Sequence, residues 1–117
     1  MDVVTRSGDL VVRRMLDSKP DYKLMVGWRN QPHVRYWWDP DKAPLTLEEA
    51  IREYRPDTYS NAPTAACIVE LGGRPIGFMQ FYRLSSYAEE AAEVGVPFDE
   101  RTWGIDIFIG ESDEVGH

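Results

Sequence analysis

Asp106 is the residue of this sequence best placed to do chemistry. It lies in the run Trp103-Gly104-Ile105-Asp106-Ile107-Phe108-Ile109-Gly110, which alternates at period two. Such a pattern reads as a β-strand, with Ile105, Ile107 and Ile109 on one face and Asp106 and Phe108 on the other. Aspartate is a poor strand former. A carboxylate held between isoleucines is therefore either a hydrogen-bonded structural group or a functional one, and the functional reading is that it receives a basic substrate. Charge placement agrees. Residues 85–117 hold nine acids against one base, whereas the first 84 hold eleven against twelve, so the net charge of −7 arises in the last third of the chain. That field would draw a cationic ligand, although an acidic loop also serves solubility alone. A third feature is Val34-Arg35-Tyr36-Trp37-Trp38-Asp39-Pro40, an aromatic cluster behind Pro32. One of its tryptophans can pack inward while the other lies against a sugar or a cation.

Other chemistries are disfavoured. Cys67 stands alone in an apolar run, so an internal disulfide is impossible and an inert buried thiol is expected. His33 and His117 have no clustered partners, so no metal site is expected. The acidic balance argues against nucleic acid as a partner. No apolar run approaches the roughly 18 residues of a membrane span, and no signal segment opens the chain, so a cytoplasmic location and no membrane partner are expected.

With 117 residues, 43% hydrophobic and 28% charged, the composition is that of one globular domain. A first strand is predicted at Leu10–Met15. Asp17-Ser18 and Pro20 then open a helix that runs to about Trp28 or Arg29 and stops before Pro32. Thr46-Leu47-Glu48-Glu49 has the form of a capping box and opens a second helix, with Leu47, Ala50, Ile51 and Tyr54 along one stripe. Arg55-Pro56 ends or kinks it. Strands at Thr64–Leu71 and Ile76–Leu84 flank Gly72-Gly73-Arg74-Pro75 and form a hairpin. Gly77 inside the second of them signals a bulge or a close backbone approach. A long acidic loop, Ser85–Arg101, precedes the strand at Trp103–Gly110. The expected order is β-α-α-β-β-β, an α+β domain with two helices packed on an antiparallel meander.

These motifs, in this order, resemble the N-terminal half of the GNAT acetyltransferase fold and, more narrowly, the aminoglycoside 6′-N-acetyltransferases. The likeness rests on Trp28-Arg29-Asn30, Val34-Arg35-Tyr36-Trp37-Trp38, Glu53-Tyr54-Arg55-Pro56, Pro75-Ile76-Gly77-Phe78-Met79-Gln80 and Gly104-Ile105-Asp106. It implies acetyl transfer from acetyl-CoA to a primary amine of a cationic acceptor. By the same resemblance Asp106 is the carboxylate that takes the amine's proton, and Trp38 and Tyr54 line the acceptor pocket. Glu89 and Glu90 hold further ammonium groups, and the backbone around Ile107, Phe108 and Ile109 meets acetyl-CoA. Siderophore-type lysine acyltransferases share much of this architecture.

The sequence departs from the family pattern after the last strand. The glycine-rich run that opens the pyrophosphate-binding helix would begin near Asp113-Glu114-Val115-Gly116-His117, where the sequence ends. The expectation is a single partial domain over 1–117, inactive alone or completed by association, with an exposed sheet edge that invites pairing with a second copy. A non-catalytic self-associating module is the reading from another functional class.

Overall fold

The computed structural model describes residues 3–38, 43–59, 61–83 and 103–111. The elements are β1 (Val3–Ser7), β2 (Leu10–Arg14), α1 (Lys19–Arg29), α2 (Pro32–Arg35), α3 (Leu47–Tyr54), a 3-10 turn (Arg55–Thr58), β3 (Thr64–Leu71), β4 (Arg74–Arg83) and β5 (Trp103–Ile109). The five strands form one antiparallel sheet in the order β1-β2-β3-β4-β5. The α+β class and the hairpin are as the sequence implies. The element list is longer by an N-terminal strand, a four-residue helix and the 3-10 turn. Strand β1 escaped sequence reading because Val3–Ser7 is exposed throughout and carries no buried alternation. It exists by pairing with β2 across a turn at Gly8, whose φ of 60° suits glycine. Among the described residues no helix is long and apolar enough to cross a membrane.

The helices cover one face of the sheet. There Ala66, Ile68 and Phe78 meet Tyr22, Met25 and Trp28 of α1 and Ala50 and Tyr54 of α3. The capping box is formed as expected: the Thr46 side chain accepts the Glu49 N–H, and the Glu49 carboxylate accepts the Thr46 N–H. A buried ion pair staples the layers together. Arg13 on β2 donates two hydrogen bonds to Asp21 on α1, at 2.8 and 2.9 Å, and one to Glu70 on β3 at 3.1 Å. Asp21 also accepts the Leu16 N–H at 2.7 Å. The Asp21 hydrogen bond is the leading reason that the Arg13 guanidinium is held above its ordinary pKa.

On the other face Val12, Cys67, Val69 and Ile76 form a second buried cluster, with Met79, Phe81 and Ile109 against it. Burial pushes the Cys67 thiol up to about 11, in keeping with an inert group.

Both expectations for Gly77 hold. The β3–β4 register shifts opposite it, between Val69 and Glu70. A Cβ built on Gly77 would also lie 2.4 Å from the Phe108 carbonyl oxygen. Backbone atoms cannot swing aside as a side chain can. Gly77→Ala is therefore expected to prise β4 from β5 and to cost about 1–3 kcal/mol, the usual range for overpacking. Urea denaturation measures this, and a loss below the fitting error would show that the two strands relax freely.

Candidate active-site cleft along strand β5

The register of β4 and β5 decides which groups Asp106 meets. Phe78 lies opposite Phe108, Gln80 opposite Asp106, and Tyr82 opposite Gly104. These pairs share the helix-covered face. The alternation read from the sequence is therefore correct, but its apolar side is the more open one: Ile105 and Ile107 are 63% and 57% exposed. Phe108 turns inward because it completes an aromatic cluster. Its ring centroid is 5.3 Å from Trp38, 5.4 Å from Phe78 and 6.3 Å from Trp28.

Asp106 is half-buried beside this cluster. Among the described residues its carboxylate accepts one hydrogen bond, from Gln80 Nε2 at 2.8 Å. Gln80 is a residue that the sequence reasoning missed. The signal was available, since Gln80 lies two residues beyond Phe78 and so shares its face, but the pairing register could not be read from one strand alone. Gly104 contributes too. A Cβ there would fall 2.4 Å from the Tyr82 ring, so glycine lets that ring lie against the strand next to Asp106. Gln80→Glu would set a second carboxylate against Asp106. Like charges this close hold a proton to higher pH, so one carboxyl of the pair is expected to titrate well above the ordinary range. Carboxyl-carbon NMR reads this, and two ordinary titrations would contradict the contact.

Three contacts fix where the β5 backbone points. The Gly110 N–H bonds the Ile76 carbonyl at 2.8 Å. The Phe108 carbonyl faces Gly77. The Ile109 carbonyl lies 2.9 Å from His33 Nε2, on the side away from β4. Hydrogen-bonding residues alternate along an antiparallel strand. Asp106 and Phe108 therefore spend their backbone groups on β4, and Ile105, Ile107 and Ile109 direct theirs outward. Of the three residues that the resemblance assigns to acetyl-CoA, Ile107 and Ile109 thus have outward backbone N–H groups, whereas Phe108 turns its backbone to β4 and its ring to the aromatic cluster.

A cavity of about 350 Å³ opens beside this edge, lined by His33, Val34, Trp37, Trp38, Ile107, Phe108 and Ile109. One tryptophan packs inward, as the sequence suggested, and both line the cavity. Trp38 packs partly into the core, and Trp37 is 83% exposed with its ring edge-on to Tyr36 at 4.7 Å. Tyr54 is not on the cavity wall. It is 2% exposed, meets the Phe78 ring edge-on at 5.4 Å, and accepts a hydrogen bond from the Arg29 guanidinium. The helical stripe that carries Tyr54 faces the core, and this overrides the wall position that the resemblance implied. Arg29 also pairs with Glu53 at 3.3 Å. Burial works against the Arg29 charge, but Tyr54 and Glu53 outweigh it and hold its pKa above the ordinary value. Glu89 and Glu90 lie outside the described residues.

The end of β5 is pinned to α1. Trp28 Nε1 donates to Glu111 at 2.7 Å, and Arg74 pairs with Glu111 at 2.8 Å. The carboxylate, the aromatic wall and the outward backbone are thus fixed relative to one another by packed elements. Among the described residues no group of His, Cys, Asp or Glu is arranged to hold a metal ion.

Comparison with known proteins supplies a family. A family model described as an acetyltransferase (GNAT) domain matches residues 17–117. Two relatives, the aminoglycoside N(6′)-acetyltransferases type 1 of Klebsiella pneumoniae and Serratia marcescens, are each 30% identical over 97% of this chain. The chain spans 55% of their length. Among solved structures, an uncharacterized protein of Bacillus halodurans superposes with a TM-score of 0.73 at 19% identity, over 92% of this chain and 51% of that one. The aminoglycoside acetyltransferase AAC(6′)-Ib, solved with ribostamycin and coenzyme A, superposes with a TM-score of 0.67 at 24% identity, over 92% and 58%. At these identities the superpositions establish the shared fold.

Proposed function

The chain belongs to the acetyltransferase (GNAT) domain family, and from that membership we propose that it forms the acceptor side of an acetyl transfer from acetyl-CoA to a primary amine of an aminoglycoside. The observation that carries this reading is the placement of Asp106, half-buried beside the Trp38–Phe108 wall and one residue from an outward-facing backbone edge. The names of the relatives support the choice of acceptor.

An alkylamine has a pKa near that of lysine, roughly 10.4, and is mostly protonated at neutral pH. Its nitrogen cannot attack a thioester until the proton leaves. Asp106 attracts the ammonium and accepts that proton, directly or through a water. Gln80 fixes the orientation of the carboxylate through its 2.8 Å hydrogen bond. The nitrogen then bonds the acetyl carbonyl carbon. Acetyl-CoA would supply the activated acetyl group, its sulfur leaving with the electrons of the broken C–S bond and taking up the second proton that the nitrogen gives up as the amide forms. The residues fit this co-substrate. The N–H groups of Ile107 and Ile109 suit the pantetheine arm and the thioester oxygen, a preorganised donor arrangement that favours developing negative charge. Trp38 and Phe108 line the same cavity.

Calorimetric titration of the folded chain tests the acceptor. Saturable heat with kanamycin is expected, and none at millimolar ligand would refute the assignment. Heat with lysine or a siderophore hydroxylamine in its place would move the acceptor to that class. A second reading, self-association, has its own support in the exposed Ile105 and Ile107 beside outward backbone groups. Light scattering separates the two: a dimer whose mass and stability ignore both kanamycin and the Asp106→Asn substitution favours association as the role.

A further inference from the structure

We propose that His33 is a positioning residue that latches helix α2 to the outer edge of β5 and so sets the width of the cleft; this rests on the reading of that edge as the acetyl-CoA strand. The first observation is the hydrogen bond. His33 Nε2 lies 2.9 Å from the Ile109 carbonyl oxygen. A carbonyl can only accept, so Nε2 carries the proton, in the neutral ring or the imidazolium. The second is where that carbonyl points. It belongs to the outward set of β5, the groups left over by pairing with β4. His33 therefore takes the acceptor at one end of the row and leaves the N–H groups of Ile107 and Ile109 to a ligand.

The third observation is what α2 carries. It has four residues, Pro32–Arg35, too few to hold a position by its own helical bonds. The Trp37 and Trp38 N–H groups both bond back to the Val34 carbonyl, at 3.2 and 2.9 Å. Both indoles therefore move with α2. His33 lines the same cavity as these two rings. The Trp38 ring already packs on Phe108 of β5; fastening His33 to Ile109 adds the polar tie that holds the α2 end of this wall at a set distance from the strand edge, which is the dimension that a ligand lying along β5 would sense. The imidazole does not act on substrate in this account, because its donor is committed to the protein's own backbone.

The test compares His33→Gln, which presents an amide N–H at a similar reach, with His33→Phe, which keeps a ring but has no donor. Coenzyme A is titrated into the full chain and each variant by calorimetry, and the Trp38 indole N–H resonance is followed by NMR without ligand. The expected result is that His33→Phe shifts the Trp38 resonance and weakens coenzyme A binding about tenfold, or ~1.4 kcal/mol, while His33→Gln stays within about twofold, a few tenths of a kcal/mol. A folded His33→Phe with wild-type affinity and an unmoved Trp38 resonance overturns the latch. If the wild type itself does not bind coenzyme A, the cofactor reading fails. The latch is then judged by the NMR alone: a Trp38 shift in His33→Phe but not in His33→Gln sustains it, and equal spectra overturn it.

Discussion

In the acetyl transfer proposed above, Asp106→Asn is expected to lower kcat with kanamycin by about 100-fold or more, the span that a positioned general base contributes. The substitution is nearly isosteric. Its amide oxygen can still accept the Gln80 hydrogen bond that the carboxylate accepts at 2.8 Å, so the β4–β5 register and the aromatic cluster should survive. What disappears is the negative charge and the capacity to take a proton. Release of coenzyme A thiol, followed in steady state, gives the rate, and circular dichroism confirms the fold. The loss should shrink as pH rises toward the amine's own pKa, because the acceptor then arrives already deprotonated. A variant that matches wild type within twofold at neutral pH would remove Asp106 from the chemistry.

The largest effect on stability is expected at the buried staple. Asp21→Ala removes two hydrogen bonds from Arg13 and one from the Leu16 N–H. The Arg13 and Asp21 side chains are 7% and 5% exposed, so water cannot replace the lost partner. Glu70 remains, at 3.1 Å from Arg13 Nε, and holds part of the charge. Breaking a buried pair from one side costs about 3–5 kcal/mol, and with Glu70 in place the lower end is expected, ~3 kcal/mol. Chemical denaturation measures this. A variant that also replaces Arg13 with methionine and Glu70 with glutamine should recover much of the loss, since neither an unpaired guanidinium nor an unpaired carboxylate is then left inside. A midpoint unchanged by Asp21→Ala would show that the pair adds nothing.

Much of this arrangement is legible in the sequence, and the reasons differ by element. The capping box at Thr46 and the glycine-bearing hairpin turn are local, so a few residues determine them. The strand at Trp103 announces itself through its alternation. What that alternation cannot reveal is which face turns inward. Three isoleucines outweigh one phenylalanine in any hydropathy count, yet Phe108 is the residue that packs, because Trp38 and Phe78 wait on that side. Partnerships across strands were equally hidden: Gln80 for Asp106, Glu111 for Trp28, and His33 for Ile109 each join residues far apart in the chain. The helical stripe reads Tyr54 as core while the resemblance puts it on a pocket wall, and the packing of α3 against α1 and the sheet places it in the core. The fold class and the strand that carries Asp106 are therefore accessible from local pattern, while the groups around that carboxylate depend on register.

Strands β2 and β3 are neighbours in the sheet, yet residues 15–63 run between them. Of the other adjacent strand pairs, β1–β2 and β3–β4 close across two residues each. Loop-closure entropy rises by about 0.6 kcal/mol for each doubling of the intervening length, so the two hairpins should form early and the β2–β3 seam late. The excursion carries all three α-helices and Trp38, so the aromatic wall can only be assembled once that seam has closed. The order of events in refolding would then place the birth of the cleft at the rate-limiting step, with the Arg13–Asp21–Glu70 staple as the fastening that makes the closure stick.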